Sequence, residues 1–248
     1  MKTKSRLDVT VVERGLAPTR AKAQALIMAR RVRVDGAYVE KPGASVAPDA
    51  VVEVVALEHP WVSRGGMKLA HALRHFEISV EGKICADIGA STGGFTDVML
   101  KNGAAKVYAV DVGRGQIDQS LRSDPRVVNR EGINARYIGA SDFDDPIELV
   151  AIDASFISLK HLLPAVAEFL EPGGTVVALI KPQFEVGKGK VGKGGIVRDE
   201  TKRRSAIESV VASARENGFD VVGVTESPIK GAEGNVEYLM YAKRAPHP

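Results

Sequence analysis

The 248-residue chain carries 34 Lys and Arg against 31 Asp and Glu, a formal net charge of +3, with 44% hydrophobic residues. This balance suits a folded protein of one large domain or two unequal ones. The single cysteine, Cys85, excludes an intramolecular disulfide, and no stretch approaches the roughly eighteen uninterrupted apolar residues that suggest a membrane span. The first residues are charged but lack an apolar signal core, so a cytoplasmic location is expected. Charge is uneven: residues 1–33 hold nine basic and two acidic residues, a local excess that suits a polyanion.

In chain order, "RLDVTVVERGL" and "TRAKAQALIMAR" read as two short helices. "RVRVDGAYVE" reads as a hairpin turning at Asp35-Gly36. The second helix is expected to place Ala21, Ala25 and Met28 near one face and to leave Arg20, Lys22, Arg30, Arg31 and Arg33 in solvent. "KPGASVAPDAVVEVVAL" adds a turn-rich link and a further strand, and the expected boundary falls near His59-Pro60. This stretch resembles an S4 domain, a small RNA-binding module. The resemblance implies an α+β unit over residues 1–59 that contacts RNA through basic side chains, including Arg6 and Arg14. A linker and entry helix are expected at residues 60–81.

From residue 82 the pattern changes. "KICADIGA", "AKVYAVDVG", "RVVN", "IELVAID", "GTVVALIK", "FDVVGVTE" and "VEYLMYAK" read as strands. Helices are read in "GFTDVMLKNG", "GQIDQSLRS", "LKHLLPAVAEFL" and "TKRRSAIESVVASARENG". Alternation of this kind predicts a largely parallel sheet covered by helices on both faces, here over residues 82–248. Cys85 falls inside the first strand and is expected to be a small core residue.

"DIGASTGGFTDVML" follows the first of these strands and opens a helix. Its glycines permit close backbone approach, and amide groups at a helix start donate hydrogen bonds to a polar ligand. Asp111, at the end of the second strand, suits a ribose diol. The spacing G-x-x-x-G-G is not the G-x-G-x-x-G of a pyrophosphate loop, and Asp87 would repel a phosphate, so a dinucleotide is disfavoured. The glycine and lysine loop "GKGKVGKGG" lacks the Ser or Thr of a phosphate-binding P-loop. The five histidines form no metal spacing, and no metal is expected.

This region resembles the class I, S-adenosylmethionine-dependent methyltransferase fold, more closely its FtsJ-like group. With the S4-like stretch, the whole chain is similar to the TlyA family of ribosomal RNA cytidine-2′-O-methyltransferases, some of whose members carry the name hemolysin. The resemblance implies a Rossmann-like, seven-stranded, mostly parallel sheet and S-adenosylmethionine as methyl donor. It implies donor-binding residues Asp87, Gly89, Ser91, Thr92, Gly93, Gly94, Phe95, Asp111, Val112 and Asp153. The expected partner is ribosomal RNA within a ribosomal subunit, the large one by the shortness of the chain; oligomeric state is left open. Alternatives are a noncatalytic ribosome-assembly factor and a membrane-active hemolysin.

The FtsJ-like group carries a Lys-Asp-Lys-Glu set, and matching contexts here assign it to Lys68, Asp153, Lys181 and Glu237. A ribose hydroxyl is a weak nucleophile that must be aligned and deprotonated as bonding develops. Lys181 is the expected proton acceptor, with Lys68 as a cationic neighbour, Asp153 orienting Lys181 and Glu237 positioning Lys68 or the ribose. A lysine accepts a proton only when neutral. The alternative is that Lys181 stays charged and holds the developing oxyanion while water takes the proton. Arg64, Lys188, Lys190 and Lys193 are expected to guide the RNA, and Phe156 and Phe184 to stack on a base or pack in the core. Ser155 follows Asp153 without the G-x-S-x-G elbow of a hydrolase.

Overall fold

A computed structural model describes residues 4–28, 31–55, 59–187, 189, 191–231 and 234–246, with the side chain of Lys193 left out. Arg30, Lys188, Lys190 and the Lys193 side chain, all expected RNA contacts, lie outside the described residues. The chain divides into two compact units, residues 1–60 and 61–248.

The first unit runs β1 (Ser5–Arg6), α1 (Leu7–Glu13), α2 (Arg20–Met28), β2 (Val32–Val34), β3 (Ala37–Tyr38), β4 (Ser45–Val46) and β5 (Val52–Val54). β1 pairs with β4, and β2 lies between β3 and β5, all antiparallel. The β2–β3 hairpin turns at Asp35 and Gly36 with φ of 50° and 80°. A two-residue turn of this hand needs positive φ at both positions, which Asp-Gly tolerates. Leu7, Val11, Leu26, Ile27, Val32 and Val46 form the centre of a small core. The face expected of α2 is corrected: Ala23, Leu26 and Ile27 are buried, while Ala21, Ala25 and Met28 face solvent. The two branched residues at 26 and 27 bury more apolar surface than the alanine-rich face, which decides the rotation of the helix.

The second unit runs α3 (Gly65–His75), β6 (Ile84–Ile88), α4 (Gly94–Lys101), β7 (Lys106–Asp111), α5 (Gln119–Arg122), β8 (Val127–Glu131), β9 (Ile147–Ile152), α6 (Leu163–Phe169), β10 (Leu170–Ile180), α7 (Pro182–Glu185), α8 (Glu200–Glu216), β11 (Phe219–Glu226) and β12 (Tyr238–Arg244). The expected seven-stranded sheet is present, in the order β11-β12-β10-β9-β6-β7-β8. β12 is antiparallel to both neighbours, and the strands from β10 to β8 are parallel. Side chains alternate between two cores: Ala86, Ile88, Val150 and Ile152 pack with α6 and α8, while Cys85, Leu149 and Ala151 pack with α3 and α4. Burial pushes the Cys85 thiol up to about 12, so it stays a neutral core side chain. The helix expected across "LKHLLPAVAEFL" divides into a 3₁₀ turn, Leu159–His161, and α6. Pro164 lacks the amide needed inside a continuous helix and fits the first turn of a new one.

Asp8 is the electrostatic centre of the first unit. Its carboxylate is fully buried, accepts from Arg6 at 3.0 Å through two nitrogens, from Arg20 Nε at 2.9 Å and from Gln24 Nε2 at 2.8 Å. The Arg6 hydrogen bond, aided by Gln24 and Arg20, holds the carboxyl well below the usual carboxylate range against the opposing cost of burial. A depressed carboxyl contributes stability that is complete above its ordinary pKa, 3.8, and is lost as pH falls below that value. Asp8→Asn is expected to lower the unfolding free energy of the first unit by about 1–3 kcal/mol at neutral pH. Urea titrations of the full chain should also show a shallower acid limb for the variant.

Candidate active site

The carboxyl ends of the parallel strands carry the polar residues. Asp153 and Lys181 each follow immediately after a strand, β9 and β10, and those strands are neighbours. Glu237 immediately precedes β12, whose first residue, Tyr238, pairs with Ile180; the antiparallel direction brings Glu237 to the same edge. Lys68 comes from α3, which reaches the edge because Gly66 and Gly94 let α3 and α4 approach closely. A Cβ on Gly66 would lie 3.0 Å from the Gly94 carbonyl oxygen, and one on Gly94 would lie 2.9 Å from the Gly66 nitrogen.

All four side chains converge. Lys68 Nζ donates to Glu237 Oε2 at 2.6 Å and stands 3.9 Å from Asp153 Oδ2. Lys181 Nζ lies 2.6 Å from Asp153 Oδ1 and donates to Ser155 Oγ at 2.8 Å. The side chains of Lys68, Lys181 and Glu237 are 10% exposed or less, and that of Asp153 20%. Alternating signs make this burial tolerable, because each ion has an opposite charge beside it in place of water. The chain can therefore present ammonium groups inside a cleft without a net local charge.

Next to this chain, the loop after β6 forms a cradle. A Cβ on Gly89, where φ is +87°, would come within 2.7 Å of the Asp153 carbonyl, so the loop and the Asp153 backbone are in close contact. Gly93 also has positive φ, +91°, and caps α4. Asp87 is wholly buried; its Oδ2 accepts from Thr96 N at 2.8 Å and Thr96 Oγ1 at 2.7 Å, while Oδ1 has no partner among the described residues. Capping of the next turn thus uses one oxygen and leaves the other. Burial, with the neighbouring Asp153 and Asp111 charges, pushes Asp87 up to about 7 against the Thr96 hydrogen bonds. A cationic ligand is the chemistry that would favour the carboxylate.

Two adjoining cavities occupy the edge. One, of about 530 Å³, is lined by all four polar residues with Asp87, Gly89 and Ser91. The other, of about 810 Å³, shares Gly89, Ser91 and Asp153 and adds Asp111, Val112 and Asn134. Asp111 accepts from Ser91 N at 2.8 Å and Gly113 N at 2.7 Å, which fixes the carboxylate against the loop. Thr92, Gly94 and Phe95 also line the smaller cavity, so every expected donor-binding residue except Gly93 borders one cavity or the other.

The sequence is matched by the family described as FtsJ-like methyltransferase over residues 61–244 and by the S4 domain over residues 5–52. The chain belongs to the FtsJ-like methyltransferases and, within them, to the TlyA family. It is 47% identical to the 16S/23S rRNA (cytidine-2′-O)-methyltransferase TlyA of Mycobacterium tuberculosis, over 98% of this chain and 91% of that protein. It is 37% identical to the 23S rRNA (cytidine-2′-O)-methyltransferase TlyA of Campylobacter jejuni, over 75% of this chain and 72% of that one. A solved hemolysin-named structure from Streptococcus thermophilus covers all of this chain and 91% of its own, with 45% identity and a TM-score of 0.78. Among the described residues, no helix of this TlyA-family chain is long and apolar enough to cross a membrane.

The basic residues divide by what they touch. Arg14 donates to the Ala50 and Pro48 carbonyls at 2.6 and 3.0 Å, and Arg31 to Val55 O at 3.3 Å. Arg33 packs over the Tyr38 ring and donates to its hydroxyl at 2.8 Å. Arg6 and Arg20 are held by Asp8 with about half of each side chain exposed. Lys22 and Arg64 are exposed on α2 and at the start of α3. Phe156 is 92% exposed and stacks at a tilt on Phe184, 5.3 Å between centroids; both border the two cavities. Ser155 was noted in the sequence only as lacking a hydrolase elbow, and Glu185 escaped the sequence reading. Glu185 accepts from Ser158 Oγ at 2.6 Å and Leu159 N at 2.8 Å and ties α7 to the loop after β9, a contact that no local motif announces.

The raised Asp87 gives a pH test. Below about pH 7 the carboxyl is mostly neutral, and a cationic ligand seated against it would have to expel its proton. Affinity for S-adenosylmethionine, measured by calorimetry, is expected to rise by up to about tenfold per pH unit as pH approaches that value. Asp87→Asn should bind weakly and abolish the rise.

Proposed function

We propose that this chain transfers a methyl group from S-adenosylmethionine to the 2′-hydroxyl of a cytidine in ribosomal RNA, with large-subunit RNA as its substrate. The observation that carries the reading is the buried chain Glu237–Lys68–Asp153–Lys181 bordering a cavity also lined by Asp87, one of whose buried carboxylate oxygens has no hydrogen-bond partner among the described residues. Large-subunit RNA is favoured because 23S rRNA is common to the names of both curated relatives, whereas 16S rRNA occurs in one. The work is divided between an RNA-holding stretch, residues 1–59, an entry segment, 60–81, and a catalytic stretch, 82–248, in a cytoplasmic protein.

The residues fit the donor. Asp87 would face its ammonium group, Asp111 its ribose and Val112 its base, with the glycine loop admitting the chain between them. When bound, the donor supplies an electrophilic methyl on a sulfonium centre. With its own extra proton first lost to water, the neutral Lys181 amine receives the proton of the 2′-hydroxyl as the oxygen becomes nucleophilic. Asp153 fixes Lys181 by the 2.6 Å contact and presents negative charge to the cavity. Lys68, held by Glu237, orients the ribose oxygen and balances the charge that develops there. Exposed Arg6, Arg20, Lys22 and Arg64 hold the phosphate backbone, which makes binding salt-sensitive and only weakly sequence-specific. The acceptor must leave its stack to enter the cleft, and the Phe156–Phe184 pair at the mouth offers it an aromatic face.

Mass-spectrometric mapping after incubation with the donor and undermodified subunits tests this reading. A new 2′-O-methylcytidine in large-subunit RNA is expected. Methylation confined to the small subunit would overturn the subunit choice, and none on either would overturn the activity. Lys181→Ala should lower the single-turnover rate by about 10²–10⁴-fold with donor affinity nearly unchanged. Lys181→Arg keeps the cation but does not give up its proton. It should be as slow as the alanine variant if Lys181 is the base, and substantially faster if Lys181 acts by charge alone.

A further inference from the structure

Lys181 Nζ has three positions around it besides its own carbon. Asp153 Oδ1 occupies one at 2.6 Å and Ser155 Oγ a second at 2.8 Å, which leaves a single position for the acceptor hydroxyl. The two anchors differ. Asp153 is a charged partner bound into the buried chain, whereas Ser155 is exposed to solvent and borders both cavities. Lys181 itself is only 8% exposed. Ser155 therefore links a buried nitrogen to bulk water.

The backbone is arranged to put that hydroxyl where it is. The loop leaves β9 through Asp153, whose amide donates to Ile88 O at 2.9 Å. At Phe156 the chain takes a φ of +64°, a left-handed conformation that is a real outlier for a bulky aromatic. Two residues later, the Glu185 carboxylate grips Ser158 and Leu159. A loop tied at both ends and turned sharply just after Ser155 has little freedom to move that side chain away from Lys181.

We propose that Ser155 is a positioning and proton-relay residue for methyl transfer, a role that rests on the reading of Lys181 as proton acceptor. Lys181 enters the step as the neutral amine, its two N–H groups on Asp153 and Ser155 and its lone pair at the remaining position; as the oxygen–methyl bond forms and the sulfur–methyl bond breaks, the bonding pair returns to sulfur and the 2′-hydroxyl proton passes to that lone pair. Ser155 Oγ then takes a proton from Nζ and releases its own to water, restoring the lysine. Its hydrogen bond also fixes the direction of the remaining position on Nζ, where small displacements cost rate steeply.

The test uses the full-length chain as wild type, Lys181→Ala, Ser155→Ala and Ser155→Thr, under single-turnover conditions with undermodified ribosomal subunits. Ser155→Ala is expected to slow transfer by about 10²-fold, with affinities for donor and RNA within about twofold of wild type. Imidazole, a diffusible proton carrier, should restore part of the lost rate in Ser155→Ala and leave the wild type unchanged. Ser155→Thr, which keeps the hydroxyl, should remain within a few-fold of wild type. A wild-type rate in Ser155→Ala, or a loss that follows donor affinity and ignores imidazole, overturns the proposal. An active Lys181→Ala would instead overturn the reading of Lys181, whatever Ser155 does.

Discussion

Burial of four alternating charges at one edge of the sheet is the constraint on which the second unit depends. Isolated ions lose several kcal/mol of hydration when buried, and an opposite charge at contact distance must replace it. Glu237, Lys68, Asp153 and Lys181 meet this condition only in sequence, each cation beside a carboxylate. Sheet topology supplies the order. Adjacent parallel strands end at Asp153 and Lys181, and the antiparallel β12 starts at that same edge, so Glu237 arrives where a parallel strand would have delivered its last residue. Reversal of the final strand is thus chemically consequential: it seats a carboxylate against Lys68 and completes the series.

A second charge problem lies a few residues away and is solved differently. Asp87 has no cation partner among the described residues; Thr96 satisfies one oxygen, and nearby Asp153 and Asp111 make ionisation harder. The protein holds Asp87 near the point where a small change in surroundings decides its charge. Gly89 makes this arrangement feasible, because any side chain there would collide with the Asp153 backbone and force the two carboxylate-bearing segments apart. Backbone proximity therefore couples the glycine loop after β6 to the chain of four buried charges.

The sheet was legible because its strands are apolar runs bounded by glycine, proline and charge, and because strand and helix patterns alternate. The four polar residues were legible as ionisable groups interrupting those patterns at strand ends and at a Gly-Gly helix entry. Their pairing was not, since sequence spacing does not reveal that Lys68 meets Glu237, 169 residues away. Ser155 was visible only as a serine without a hydrolase elbow. Its proposed role depends on the positive φ of Phe156 and on the Glu185 carboxylate of α7, neither of which has a sequence signature. In α2, the choice of buried face turned on Leu26 and Ile27, and a reading centred on alanines and Met28 put the helix on the wrong side.

Charge in the first unit carries a related lesson. Counting basic residues overstates the field available to a polyanion, because Asp8 offsets part of the charge on Arg6 and Arg20, and Arg14 and Arg31 direct some of their donors to backbone carbonyls. Yet these contacts also reduce the freedom of long side chains, so a phosphate meeting Arg6 or Arg20 finds guanidinium groups already ordered. The buried chain of Glu237, Lys68, Asp153 and Lys181, with two cations and two carboxylates, carries no net charge of its own. In the proposed mechanism, long-range capture and methyl transfer therefore rest on different electrostatics. The first needs an exposed excess of positive charge and weakens with salt, while the second uses buried pairs that salt screens little. A substrate can therefore be gathered by a basic surface without the ammonium groups of the active site being drawn into nonspecific phosphate binding.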